Sequence, residues 1–456
     1  MNYTQSLKYL YSFTNFEQIP FAYQYELNLK RMEALLDWFG HPERKFQAVL
    51  VAGTKGKGST AKFFSSILTA HGYRAGLYTS PHLEDVRERI QIDGRMISKQ
   101  AFSKQMSVMR PVIDRRKNEI PLLGTITFFE VLTLLSILHF AQEKVEFGVF
   151  EIGMGGRLDA SNILESVLSM ITPVSYDHEE YLGNTLTKIA REKAAIIREN
   201  GWVVSGVQEK AAKAVIRKEL KQKRAAGFFL GSDFEVQRKR KSLNGSRFDF
   251  CFGRDQLKNL QIKLPGEFQI KNAAVAIAGI YVLNRRGLIH LQEKSVRKGL
   301  QTAFWPGRFE VIRQEKRFVI LDGAHNGASM RELCKALCEL RSGRRQVFIL
   351  GVSRDKRLDR LLLPVREKAS YVIATKSLNS RAQEPKVILE KMHELKFTKP
   401  MFWAQDIKEA IKMASRIASE NTDIVITGSL FLVGEARKIV VHKCTGAKGH
   451  KRMALT

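Results

Sequence analysis

Short apolar runs alternate with amphipathic stretches along most of this chain. The run QAVLVA predicts a strand over 47–52, and AKFFSSILTAHG predicts a helix over about 59–71 that stops at Gly72. An earlier helix is expected over 24–39, from the spacing of Leu27, Met32, Leu35, Leu36 and Phe39. RAGLYTS predicts a second short strand ending at Pro81, and a helix follows over 126–142. FGVFEIG at 147–153 and VLSMITPVS at 167–175 read as buried strands. Strands separated by helices at these intervals imply a parallel sheet with right-handed crossovers.

From 228 to 264 the pattern shortens to pieces such as RFDFCF and LKNLQIKL, as expected of a small antiparallel insert. A helix is expected over 268–285. FWPGRF (304–309) then brings Trp, Pro and Gly together as a linker, and the alternation restarts with RFVILDG, QVFILGVS, YVIATKS and DIVITGS. The fold class predicted is α/β: an N-terminal P-loop-type domain with a mainly parallel sheet and the small antiparallel insert, then a C-terminal Rossmann-like doubly wound domain. The expected boundaries are 1–303, a linker over 304–312, and 313–456.

A length of 456 residues suits two domains better than one core. The N-terminus lacks the pattern of a signal peptide, and the apolar run at 131–141 is far shorter than the roughly 20 residues that span a bilayer. A cytoplasmic protein is the expectation. Four cysteines make no disulfide framework at this length, and Cys334 and Cys338 have no further ligand at metal spacing. The formal charge of +29 raises the question of nucleic acid, with basic runs at 215–226, 237–241 and in the tail. Those runs mostly lack interleaved aromatics and match no nucleic-acid module, so a solvated basic surface that attracts small anions is the reading adopted, with neither nucleic acid nor membrane as partner.

The segment GTKGKGST, Gly53 to Thr60, lies between the first strand and its helix. It does not fit the common G-x-x-x-x-G-K-[ST] spacing, which would need glycine at Val51. Its chemistry is nonetheless that of a phosphate cradle. Glycines let backbone N–H groups turn inward, and the helix offers its positive end to anions. Lys57 can neutralise terminal phosphates, while Ser59 or Thr60 can offer a hydroxyl to Mg²⁺. Mg²⁺ also wants carboxylate oxygen, and Glu151 closes a strand expected at the same sheet edge. Ser80 and His178 fall at strand ends on that edge too.

GTKGKGST is followed, in order, by GLYTSPHL, ERIQIDG, TFFE, EIGMGGRLDASN, DHEEYLGNTLTKIAREKAAII, LPGEFQIKNAAVA, WPGRFEV, LDGAHN and ITGSLFLVGE. This series resembles the folylpolyglutamate synthase and dihydrofolate synthase family of Mur-type ligases, from about residue 28 to residue 437. The resemblance implies an ATP-dependent ligase that adds L-glutamate to the carboxylate of folates through an acyl phosphate, and leaves open whether dihydropteroate is a further acceptor. It implies that Gly56, Lys57, Gly58 and Ser59 wrap the ATP phosphates. Ser59, Ser80, Glu151 and His178 correspond to ligands of two Mg²⁺ ions, and Lys193 to a lysine carried as a carbamate. Lys57, His178 and Lys193 are the residues to which it gives catalytic roles.

Asn272, Arg308, Asp322 and His325 match positions that contact ATP, and Thr127, Phe128, Phe129, Glu130 and Leu158 match residues lining a pterin site. A monomer is implied as well. The rival within the superfamily is a cell-wall amino-acid ligase, which TFFE and LYTSPHL disfavour. A basic nucleic-acid-binding ATPase has only the charge behind it. The sequence departs from the family pattern at Lys55 (usually Asn), Gly327 (usually Pro), Phe268 (often His) and Ala195 (usually Gly). Gly327 is expected to loosen its turn.

Overall fold

The structure, a computed structural model, describes residues 1–19, 27–119, 124–314 and 317–446. The chain forms two compact units: residues 1–240, 247–263 and 268–303 make the first, and 241–246, 264–267 and 304–456 the second.

The first unit is built on eight strands: β1 (Gln47–Ala52), β2 (Ala75–Tyr78), β3 (Ile90–Ile92), β4 (Arg95–Met96), β5 (Phe147–Glu151), β6 (Ser166–Ile171), β7 (Trp202–Ser205) and β8 (Ala226–Phe229). Their order is β4-β3-β2-β5-β1-β6-β7-β8. From β2 to β8 every neighbouring pair is parallel, while β3 and β4 are antiparallel additions at one edge. In β1 every residue from Ala48 to Ala52 is buried, as a strand with helices on both faces requires. The Lys57–Ala70 helix covers one side with Phe63, Phe64, Ile67 and Leu68 fully inside.

The helix expected at 59–71 starts at Lys57, because Gly56 takes the left-handed N-cap position (φ +85°). The helix expected over 24–39 is seen as Leu29–Trp38, and its first residues lie outside those described. One larger difference concerns Phe228 and Phe229. Expected in the antiparallel insert, they belong instead to β8, paired in parallel with β7. The Lys210–Gln222 helix is the crossover between β7 and β8. Gly227 admits the Leu220 side chain so closely that a Cβ there would stand 2.3 Å from Leu220 Cδ1. The insert itself is a sheet of β9 (Phe234–Ser242), β10 (Gly245–Phe252) and β11 (Asp255–Ile262). Phe250 and Phe252 of β10 pack on Tyr281 of the Glu267–Arg285 helix.

The second unit carries β12 (Glu310–Gln314), β13 (Arg317–Leu321), β14 (Arg345–Leu350), β15 (Tyr371–Ala374), β16 (Met401–Trp403) and β17 (Thr422–Thr427), in the order β12-β13-β17-β14-β15-β16. Five strands are parallel, and β12 returns antiparallel to β13. Among the described residues, no helix is long and apolar enough to cross a membrane.

Candidate active site

Four adjacent parallel strands of the first unit, β2, β5, β1 and β6, end together. Tyr78 pairs with Phe150, Val51 with Glu151, and Ala52 with Ile171. The chain leaves β1 for β2 on one side and later steps over to β6 on the other. The carboxyl edge near β1 is therefore the crevice where α/β sheets bind ligands. The segments leaving these ends carry Ser80, Glu151, the Gly53–Ser59 loop and His178.

Two tight approaches shape the loop. Gly53 (φ +146°) lies so near Thr172 that a Cβ would sit 1.9 Å from its Oγ1; a Cβ on Gly56 would sit 2.2 Å from Asn272 Oδ1. Thr54 is tied to the neighbouring segment: its N–H donates to Pro173 O, and its hydroxyl donates to Ser175 O, both at 3.0 Å. Glycine at the N-cap supplies no capping side chain, so the first-turn N–H groups after it face the crevice as anion donors. Gly56→Ala should abolish ADP binding in calorimetry, because the new methyl group meets Asn272 and the backbone is strained. Asn272 itself is held by Gln269, whose Oε1 accepts from Asn272 Nδ2 at 3.0 Å.

Glu151 is buried, and its Oε2 accepts the Ser80 N–H at 3.2 Å. Ser59 is buried in the first turn of the loop helix. His178 sits in the left-handed region (φ +51°) at the start of a single helical turn, beside the buried Asp177, whose Oδ1 accepts the His178 N–H at 3.0 Å. Two hydroxyls and a carboxylate are hard oxygen donors, and such a set fits Mg²⁺ that completes its shell with phosphate and water. Among the described residues no cluster of three His, Cys, Asp or Glu side chains forms a self-sufficient metal cage.

Lys193 departs most from what its local sequence suggests. It lies on the Leu186–Ala194 helix and is only 4% exposed. The Gly153–Arg157 turn packs on this helix: a Cβ on Gly156 would stand 2.4 Å from Glu192 O, and the Arg157 N–H donates to that same oxygen at 3.1 Å. Burial, with the Lys57 ammonium nearby, pushes the Lys193 amine down to about 7, against the opposing pull of Asp177, Glu192 and Asp159. The loop lysine and Lys193 therefore share one neighbourhood.

Asp159 belongs to this neighbourhood too, although the motif reading stops at the half-buried Leu158. Its carboxylate accepts the N–H groups of Gly153 at 2.9 Å, Met154 at 3.2 Å and Ser161 at 2.9 Å, and burial lifts it to about 6. The available signal is an Asp two residues before a Ser in a glycine-rich turn. Of the TFFE residues, Thr127 and Glu130 form a capping box at the start of the Phe128–Gln142 helix, and Glu130 also pairs with buried Arg31 at 2.8 Å. Phe128 is buried, while Phe129 lies along the turn, close enough that a Cβ on Gly153 would stand 2.9 Å from its ring.

In the second unit, Arg308, Asp322 and His325 gather where β13 ends. Asp322 is buried and accepts the N–H groups of Phe309 at 2.8 Å and Ala324 at 2.9 Å. Burial raises its carboxyl, with Arg308 pulling the other way. His325 Nδ1 lies 2.8 Å from Gly323 O. Gly327, expected to loosen its turn, opens a helix fastened by an Asn326–Ser329 capping box, and a Cβ there would be 2.7 Å from Arg360 O.

The comparisons with known proteins give the family. Residues 51–280 match the Mur ligase middle domain and residues 307–430 match the Mur ligase glutamate ligase domain. Fold and site thus define a Mur-type ligase. The chain is 34% identical over 413 residues to the dihydrofolate synthase/folylpolyglutamate synthase of Bacillus subtilis, covering 90% of this chain and 94% of that protein. It is 30% identical over 441 residues to the folylpolyglutamate synthase of Lacticaseibacillus casei, covering 97% and 99%. Among solved structures, the folylpolyglutamate synthase of Mycobacterium tuberculosis complexed with ADP superposes with a TM-score of 0.89 at 30% identity, over 96% of this chain and 98% of that one. This chain belongs to the folylpolyglutamate synthase/dihydrofolate synthase family.

Proposed function

We propose that this protein joins L-glutamate to the carboxylate of folates at the expense of ATP. The observation that supports this reading best is the convergence of the glycine loop, Glu151 and Ser80 at one edge of a parallel sheet, with Lys193 close enough to feel the Lys57 charge, in a chain whose relatives are named for that reaction.

The folate carboxylate oxygen attacks the γ-phosphorus of ATP, and the bond to the β,γ-bridging oxygen breaks, leaving ADP and an acyl phosphate. Such transfer depends on alignment and charge neutralisation. The first-turn N–H groups after Gly56, with Lys57, Gly58 and Ser59, hold the phosphates. Asn272, Arg308, Asp322 and His325 are the further positions that the family resemblance assigns to the nucleotide. Ser59, Ser80, Glu151 and His178 would hold Mg²⁺, which supplies charge neutralisation when bound. Lys193, as a neutral amine, adds to CO₂ with loss of a proton and so presents a carboxylate on a side chain that is otherwise cationic. The glutamate amine then attacks the acyl carbon; phosphate leaves and a proton is lost.

The test uses purified protein with ATP, Mg²⁺, L-glutamate and either tetrahydrofolate or dihydropteroate, with products weighed by mass spectrometry. The expected result is a gain of one glutamyl unit and one ADP per bond formed. Turnover with UDP-linked cell-wall precursors and none with either pterin substrate would overturn the reading.

A further inference from the structure

Arg89 is completely buried, yet it lies outside the phosphate chemistry. Its Nη1 and Nη2 donate to the two carboxylate oxygens of Glu17 at 2.7 and 2.6 Å, and its Nε donates to His82 Nδ1 at 2.9 Å. The guanidinium also sits over the Phe128 ring, 5.3 Å from its centroid. Tyr11 stacks on that ring at 5.5 Å with an interplanar angle of 20°. Thr14 adds a third tie, its carbonyl accepting the Phe128 N–H at 2.9 Å.

Residues 11–17 thus grip the Thr127–Glu130 turn through a stacked ring and a backbone hydrogen bond, and Glu17 holds by a bidentate ion pair the Arg89 that lies over Phe128. Desolvating an arginine is costly, and such a pair is weak evidence for stability. Its geometry is informative: one planar group joins the N-terminal segment, the aromatic turn and the turn that carries Ser80 and His82. Phe129, next in sequence to the clamped ring, lies along Gly153, in the turn that packs on the helix of Lys193. Any shift of Phe128 must move it.

We infer that Arg89, clamped by Glu17 and backed by the Tyr11–Phe128 stack, is a positioning residue for the folate substrate, setting the aromatic turn against which the substrate's planar ring system packs. This rests on the functional reading above. It gives the N-terminal segment a role in substrate selection and none in ATP binding.

Steady-state kinetics of Glu17→Gln, Tyr11→Ala and Tyr11→Phe test this, with thermal melts to verify folding. Glu17→Gln keeps the shape but loses the charged fork, and Tyr11→Ala removes the stacked ring without touching a charge. Both should raise KM for tetrahydrofolate about tenfold, with KM for ATP within about twofold, while Tyr11→Phe behaves as wild type. Equal rises in both KM values, or an unchanged folate KM in folded variants, would overturn the inference. If Glu17→Gln fails to fold, the folate KM of Tyr11→Ala is sufficient to support or overturn it. Wild-type protein that turns over no folate would sink the functional reading and the inference with it, an outcome distinct from variants that keep a normal folate KM.

Discussion

Lys57→Ala is expected to lower kcat/KM for glutamate ligation by about a thousandfold, while ADP still binds within about tenfold of wild type. The split follows from where the charge is needed. Backbone N–H groups of the Gly53–Ser59 loop and the helix end remain in place without the side chain, so ground-state phosphate binding is only weakened. Charge on the transferring phosphoryl group builds towards the transition state, and the Lys57 ammonium is a cation at the loop itself. Stopped-flow or coupled ADP-release assays give the rate, and calorimetry gives the affinity. A variant with wild-type turnover would remove Lys57 from the catalytic group.

Lys193→Ala is expected to abolish ligation, with partial rescue by added short carboxylates. Wild-type activity should fall when CO₂ and bicarbonate are stripped from the buffer. An amine held near 7 by burial is half neutral at neutral pH, and only the neutral form adds to CO₂. Activity should therefore decline as pH falls below about 7, as protonation competes with carbamate formation. The linked stability effect runs the same way. In CO₂-free buffer the unfolded chain binds the extra proton between about 7 and the ordinary value of 10.5, so stability rises with pH across that window. Labelled bicarbonate should give a carbamate carbon resonance that Lys193→Ala lacks. Full activity without CO₂ would rule the carbamate out.

The strands at 47–52 and 147–151 are legible because each is a short apolar run bounded by a turn signal, and the Gly53–Thr60 loop stands out as a candidate phosphate site because glycine, lysine and hydroxyl occur between strand and helix. Glu151 can be aimed at that loop because parallel strands end at a common edge. The burial of Lys193 cannot be read locally. On its own helix it looks like an ordinary solvated lysine, and what encloses it is the Gly153–Arg157 turn from a different part of the chain. Asp159 is legible only in part: its three N–H donors come from its own turn and leave a local signal, but its burial arises only once that turn packs.

The amino-acid sequence alone determined the strands at 47–52 and 147–151 and the helix that follows the first of them, and it marked the glycine loop as a candidate phosphate site, because periodicity and turn chemistry act within a few residues. Tertiary structure decided which side chains lose water. That is what lowers the Lys193 amine and locks Arg89 onto Glu17, a partner 72 positions earlier in the chain. It also placed Phe228 and Phe229 in the parallel sheet, since a parallel pairing with β7 requires the intervening helix to cross over between the two strands. Desolvation and long-range pairing depend on neighbours supplied by the fold, and no local pattern encodes them.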